Sequence, residues 1–234
     1  TQINLNTPPF YDDYDPLSNY YQMLFNPGRP IQARELTGMQ SMFQNQVSTL
    51  ARRFLSEGDN IIPGEYNLSN PVPYVRLSSI TQGATAQDFV GYEITGVTSG
   101  VTANVLFAVA ATETDDITLY LSYTGQGNNS TQVNFTQGET LTSNTPSLYT
   151  ATVGIEGVSK PITSSPLGSG CLVTVEPGEF FIDGFMVHNT KQTITVGKYT
   201  TRPDVEVGFI VTEEIISSSE DSSLLDNSTG SSNF

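Results

Sequence analysis

The segment CLVTVEPGEFFIDGFMV, residues 171–187, decides the fold class. Runs of β-branched and aromatic residues alternate in it with Pro-Gly and Asp-Gly pairs, which favour tight turns. The segment therefore predicts three short antiparallel strands joined by hairpins. The same pattern extends over residues 144–216, where further strands are predicted at 192–196 and 205–211, and this part of the chain is interpreted as the returning half of a β core.

Residues 79–143 contain four more strand-like runs that are separated by glycines. The runs are 89–94, 101–108, 117–123 and 133–135. Short, closely spaced strands favour a small antiparallel barrel or sandwich. Because a β pattern lies on both sides of this segment, we expect it to be an inserted β-barrel or β-sandwich domain.

One α-helix is predicted upstream of the strands, from about residue 32 to residue 57, in a region 31–78 that leads into the β core. Its apolar residues follow one another at steps of 3, 4, 4, 3 and 4, which places them on one helical face. They are Leu36, Met39, Phe43, Val47, Leu50 and Phe54. The opposite face is rich in Gln and Ser. The apolar face packs either on a symmetry-related copy, as we expect, or on the chain's own sheet. The predicted fold class is mainly β with one long N-terminal helix (α+β).

The two ends of the chain have unusual compositions. Residues 1–30 are predicted to form an extended arm, because their prolines disfavour a helix. Phe10, Tyr11 and Tyr14 stand among aspartates there, and we expect them to dock on a neighbouring chain; a flexible terminus is the alternative. Residues 217–234 are polar, which is typical of a linker or of an unfinished edge.

The charge and the hydropathy of the chain exclude two classes of partner, nucleic acid and the membrane interior. The formal net charge is −15, and only 14% of residues are charged, against about 25% in an average domain. The nine basic residues are scattered, so we expect no binding to nucleic acid, which needs clustered Lys and Arg. There is no apolar run of membrane-spanning length and no signal-peptide pattern. We therefore expect synthesis in a cytoplasm and no insertion into a membrane.

Groups that could perform chemistry are few. Cys171 and His188 are the single cysteine and histidine, so one chain cannot form a disulfide or a multi-histidine zinc site. Acidic pairs occur at predicted turns, where Asp and Glu have a structural explanation, although a glycosidase carboxylate pair is an open alternative. We expect no enzyme activity, no catalytic residues, no metal and no cofactor. Tyr120 and Tyr123, beside an Asn-rich loop at 125–130, are candidate contacts for a host surface glycan.

Two blocks of sequence resemble a known family. YDDYDP at 11–16, LFNPGRPIQAREL at 24–36 and QSMFQNQ at 40–46 form the first block, and residues 207–214 and 221–234 contain the second. Together they resemble a domain of unknown function found in virion structural proteins of tailed phages, including cyanophages.

This resemblance implies a structural protein of the phage tail that anchors a fibre or builds the baseplate. It implies a virion location, self-association as a homo-oligomer, with a trimer expected from phage fibres, and contacts with other tail or baseplate proteins. A receptor- or glycan-binding module for host attachment is the alternative.

Overall fold

The computed structural model of the protein describes residues 3–128 and 131–225, and these contain one α-helix and eleven β-strands. Parts of three predicted segments lie outside the described residues: 1–2 of the arm, 129–130 of the Asn-rich loop and 226–234 of the polar C-terminal stretch. The chain divides into two compact units. The helical unit takes its residues from 1–59, 181–187 and 206–234, and the barrel unit takes its residues from 60–180 and 188–205. No described helix is long and apolar enough to cross a bilayer.

Six strands of the barrel unit close into a ring. In spatial order they are β2 (Tyr66–Ile80), β5 (Ile117–Gly125), β4 (Thr102–Val109), β3 (Glu93–Gly96), β6 (Thr140–Ser143) and β7 (Thr150–Val153). All neighbours are antiparallel, and β7 returns to pair with β2 from Leu77 to Ile80. Closure matters because a ring leaves no open strand edge of its own.

Alternate residues of these strands fill the barrel. Val75 and Leu77 of β2 and Leu119 and Leu121 of β5 belong to one buried cluster. The residues between them along each strand must face outward, because side chains alternate across a strand. The cluster also includes Phe89, from a 3₁₀ helix at Ala86–Phe89, and Phe135.

The remaining strands extend or accompany the barrel. β8 (Leu167–Val175) and β11 (Gln192–Gly197) continue the sheet from β2 in the order β11-β8-β2. The first part of β2 pairs with β8 as far as Val75, and β7 takes over the same edge from Leu77. A second sheet has the order β1 (Asn60–Ile62), β9 (Gly178–Ile182) and β10 (Phe185–Asn189).

The helix α1 spans Ala33–Ala51, 19 residues. At its start the backbone amide of Gln32 donates to the Glu35 carboxylate at 3.0 Å, which satisfies one of the free backbone amides at this end of the helix. The predicted end at residue 57 was too late. The backbone amides of Arg53 and Phe54 donate to the carbonyls of Leu50 and Ala51, three residues back, so the regular i to i−4 pattern is lost and the chain continues in turns.

The structure confirms a mainly β chain with one helix and a closed barrel, and the three strands predicted in residues 171–187 are formed as β8, β9 and β10. Of these three, β9 and β10 pair as a hairpin, whereas the predicted hairpin between β8 and β9 is wrong, because β8 pairs with β2 and β11 in the other sheet. The ring is not contained in residues 79–143, because β7 and most of β2 lie outside that segment. The strands predicted at 133–135 and 205–211 are not formed. Phe135 packs into the barrel cluster instead, and residues 205–211 lack the strand pairing from which β propensity arises.

Truncating a core residue of the barrel should destabilise it strongly. We expect Leu119→Ala to lower the free energy of unfolding by about 2–5 kcal/mol, because the fully buried side chain leaves a cavity. Leu106→Ala is the matched control, since Leu106 lies on neighbouring β4 and is 49% exposed; we expect about 0.5 kcal/mol or less. Urea unfolding measures both values, and equal losses would contradict the assigned barrel interior.

Candidate functional site

The apolar face of α1 is open to solvent within one chain. Met39 is half-buried, and the other members of the predicted stripe are exposed to the following degrees: Leu36 46%, Phe43 57%, Val47 51%, Leu50 64% and Phe54 78%. The apolar side chains are therefore accessible in a single chain, and the packing of this face on a symmetry-related copy stays a prediction. We call these six residues the apolar stripe.

The N-terminal arm covers the other side of the helix. The Ser41 hydroxyl donates to the Asp12 carboxylate, the Asn45 amide donates to the Tyr14 hydroxyl at 3.2 Å, and Arg34 pairs with Asp13 at 3.3 Å. The arm of this chain thus lies along its own helix.

Two small or flexible helix residues allow this close approach. Met42 is 1% exposed, and a Cβ at Gly38 would stand 2.8 Å from Met23 Cε. A larger residue at Gly38 would require the end of the flexible Met23 side chain to move. Gly38 and Met42 are therefore the helix positions at which the arm is seated.

This packing changes the expectation for the arm aromatics. The Tyr14 hydroxyl is used within the chain, and Phe10 is half-buried. Tyr11 is 54% exposed. Of the three residues predicted to dock on a neighbour, Tyr11 is thus the one that the chain leaves most available.

A tight turn at Asp183 and Gly184 touches α1 next to the arm, within the helical unit. Gln44 Nε2 donates to the Gly184 carbonyl at 2.9 Å, and Arg52 pairs with Asp183 at 3.2 Å. Gly184 has φ 92° and lies so close to Ser48 that a Cβ would stand 2.7 Å from the Ser48 Cβ. The turn and the arm together secure the polar side of α1, and the apolar stripe faces away from both.

The second notable feature is Arg76 of β2, whose side chain is 0% exposed on the outer face of the barrel. Its guanidinium donates to the backbone carbonyls of Ser164, Pro161 (2.8 Å) and Ser159 (3.4 Å). It also lies 5.2 Å from the Tyr199 ring centre, within the range of a cation–π contact. Arg76 thus ties the loop between β7 and β8 to the barrel.

An ion pair stands beside this arginine. Lys198 donates to Asp115 Oδ2 at 2.8 Å, and the Tyr199 hydroxyl donates to Oδ1 at 3.1 Å. The hydrogen bond from Lys198 holds the pKa of Asp115 below its usual value, with the charges of Lys198 and Arg76 acting in the same direction. Burial raises the pKa of nearby Tyr120 to about 12. Asp115 therefore stays ionised and Tyr120 stays protonated near neutral pH.

The candidate glycan contacts need correction. Tyr120 is 0% exposed, and its hydroxyl bonds with Thr195 and the Lys198 carbonyl at 3.0 Å each. Tyr123 is half-buried and packs on Phe135 at 5.4 Å between ring centres. Because a sugar stacks on an open ring face, neither residue is available for it in this structure.

The acidic pairs have local explanations. Glu176 pairs with Lys191 at 2.7 Å, and the Asp116 carboxylate accepts from the Lys160 amide at 2.9 Å. Within residues 3–128 and 131–225, no three His, Cys, Asp or Glu side chains come together as a metal site would require.

Sequence reasoning missed Arg76, Lys198, Tyr199 and the role of Asp115. A signal was present in the sequence Tyr74-Val75-Arg76-Leu77. Because side chains alternate across a strand, Tyr74 and Arg76 face one side of it and Val75 and Leu77 face the other. Alternation indicates an outward arginine, which is normally a solvated one. Only the fold shows that another layer covers it.

A family model described as a domain of unknown function (DUF4815) matches residues 9–77. The match includes the arm from residue 9, α1, β1 and β2 as far as Leu77, and therefore both the apolar stripe and Arg76. No curated protein and no solved structure matches the chain.

Removing the charge of Asp115 should make the free energy of unfolding less dependent on pH in the acid range. We expect Asp115→Asn to cost about 1–2 kcal/mol at neutral pH, as a charge-assisted hydrogen bond is lost. The folded pKa of Asp115 lies below the unfolded value of about 3.9. The stabilisation that the ionised Asp115 provides is therefore complete above the unfolded pKa, and it is lost as the pH falls through the folded pKa.

Urea unfolding of both proteins from neutral pH to about pH 3 measures this effect. The two free energies should converge in acid. Glu113→Gln is the control, because it removes a carboxylate from the same exposed loop without touching Lys198. A difference between wild type and Asp115→Asn that is constant with pH would contradict the assigned ion pair.

Proposed function

We propose that the chain is a structural component of a phage tail, which anchors a tail fibre or forms part of the baseplate through packing between copies of itself. In this proposal α1 is a long N-terminal packing element. The proposal assigns the chain no enzyme activity and no cofactor.

The observation that carries the proposal is the open apolar stripe of α1. Fully burying a side chain of this kind contributes about 1.5–3 kcal/mol, and five of the six are at least 46% exposed. A contiguous apolar surface of this kind marks an interaction site more often than a solvated face. Copies of the same chain are the natural partners, because a symmetric oligomer buries the same patch on every subunit.

The charge distribution supports the same partner. Each copy carries a formal charge of −15, so copies repel one another over most of their surface. The apolar stripe contains no charged residue, and the Gln-rich positions beside it are neutral. Self-association is therefore least opposed on this face. The resemblance of residues 11–46 to virion structural proteins supports placing such an oligomer in a tail.

A substitution in the middle of the stripe tests the oligomer. We expect wild type to have a mass in solution that is a multiple of 25.3 kDa, and Phe43→Asp to have the mass of one chain. Because Phe43 is 57% exposed within a chain, the isolated subunit should keep its fold and its circular dichroism spectrum.

Light scattering coupled to size-exclusion chromatography measures these masses. Thr49→Asp is the matched control, because Thr49 is exposed on the same helix but away from the stripe, and it should leave the oligomer intact. A wild-type protein that stays monomeric at high concentration would refute the proposal.

The tail location needs a separate test. Gold-labelled antibodies against the barrel unit should decorate one position on the tails of virions whose genome encodes this chain. Decoration of heads alone, or an absence of the chain from purified virions by mass spectrometry, would contradict the assignment to the tail even if the chain forms oligomers.

A further inference from the structure

The apolar stripe follows a seven-residue repeat. Leu36, Phe43 and Leu50 are seven residues apart, and so are Ala33, Gln40, Val47 and Phe54. The second series lies four residues after each member of the first, which is the spacing of positions d and a in a coiled coil. Within α1, which is just under three heptads long, each core position is apolar except Gln40, and Phe54 continues the repeat beyond the end of the helix.

The contacts of α1 with the arm fall on the positions that a coiled coil turns outward, and its contact with the turn at Gly184 includes Gln44 at position e. With Leu36 at d, the helix residues that hold the arm occupy b, c and f: Arg34 and Ser41 at b, Met42 at c, and Gly38 and Asn45 at f. The chain has therefore covered the outward half of this helix and left the a/d seam exposed.

From this agreement we infer that α1 of one copy forms a parallel, in-register coiled coil with α1 of other copies, with Gln40 as a polar layer that fixes the register. The inference rests on the proposed function, because it names how the oligomer is held. The occupant of the stripe is thus the same stripe of a second copy.

The flanking positions contain nothing that opposes this arrangement. Positions e hold Thr37, Gln44 and Ala51, and positions g inside the helix hold Met39 and Gln46. In a parallel pair, e and g side chains of different copies face each other. No acidic residue stands at either position, although the chain as a whole is strongly acidic.

Gln40 decides between the parallel and antiparallel arrangements. In a parallel, in-register assembly each Gln40 meets another Gln40, and the two amides can bond to each other. In an antiparallel pair that overlaps the helices fully, Gln40 would lie between Phe43 and Val47 of the second copy, which offer no polar atom. A buried amide without a partner is unfavourable, whereas one polar residue at an a position is a known means of fixing register.

Cysteine cross-linking of the full chain tests the arrangement. Leu36→Cys and Leu50→Cys are made separately in a Cys171→Ser background, which removes the single native cysteine. Residues 36 and 50 lie equally far from residue 43 on either side. A parallel, in-register assembly brings each cysteine to itself, whereas an antiparallel one brings residue 36 to residue 50.

After mild oxidation with glutathione, we expect each variant alone to give a cross-linked dimer, at least about tenfold more than Thr49→Cys, because only seam positions meet the distance limits of a disulfide. Thr49 is at position c and exposed. Cross-linking that occurs only in a mixture of the Leu36 and Leu50 variants would overturn the parallel arrangement.

Light scattering on the same samples separates the two proposals. An oligomer without any seam cross-link would overturn the coiled coil and leave the proposed self-association standing, whereas a monomer would overturn both. Should Leu36→Cys or Leu50→Cys itself lose the oligomer that the Cys171→Ser parent retains, Val47→Cys supplies a smaller change at the seam. A parallel assembly then requires that variant to cross-link to itself.

Discussion

The barrel unit depends on the burial of one guanidinium group, that of Arg76. At this residue the edge of β2 changes partner from β8 to β7, and its backbone bonds to both sides of the change: the Arg76 amide donates to the Pro166 carbonyl and the Arg76 carbonyl accepts from the Gly154 amide, each at 2.8 Å. The loop that leaves and re-enters here would otherwise bury carbonyls without donors. Arg76 donates to three of them. A buried cation is costly to desolvate, and these carbonyls, the Tyr199 ring and the charge of Asp115 offset that cost.

The buried Arg76 explains why polar side chains cluster at one place on the outer face of the barrel. Lys198 and Tyr199 follow β11, and Asp115 precedes β5, so the cluster joins elements that are distant in sequence. Tyr74 and Tyr120 pack beside it, with ring centres 6.3 Å apart. Such a network is sensitive to the loss of any member, because the remaining groups stay buried without partners. Its contacts are those of a structural joint between the barrel and the strands that continue from it.

The helical unit differs from the barrel unit, because its most apolar surface is exposed to solvent within one chain. Within one chain the arm and the turn at Asp183 and Gly184 occupy the polar side of α1 through hydrogen bonds and two ion pairs. Exposed ion pairs contribute little stability, and a 19-residue helix gains most of its stability from packing of an apolar face. The helix therefore has more to gain from association than its own chain provides.

The sequence by itself determined the classes of structure. The β-branched runs of residues 171–187 determined three short strands, and the repeat of Leu36, Phe43 and Leu50 determined a helix with one apolar face, because both patterns depend only on local periodicity. The sequence could not determine that β8 pairs with β2 and β11 and not with β9. It could not determine that residues 205–211 form no strand, that β2 and β7 close the ring, or that Tyr120 is buried rather than open to a sugar. These outcomes depend on which distant segments meet. The tertiary structure alone decided that the polar side of α1 is covered, that the apolar side is free, and that Arg76 is buried, because burial is set by the neighbours that the fold supplies and not by the residue's own type.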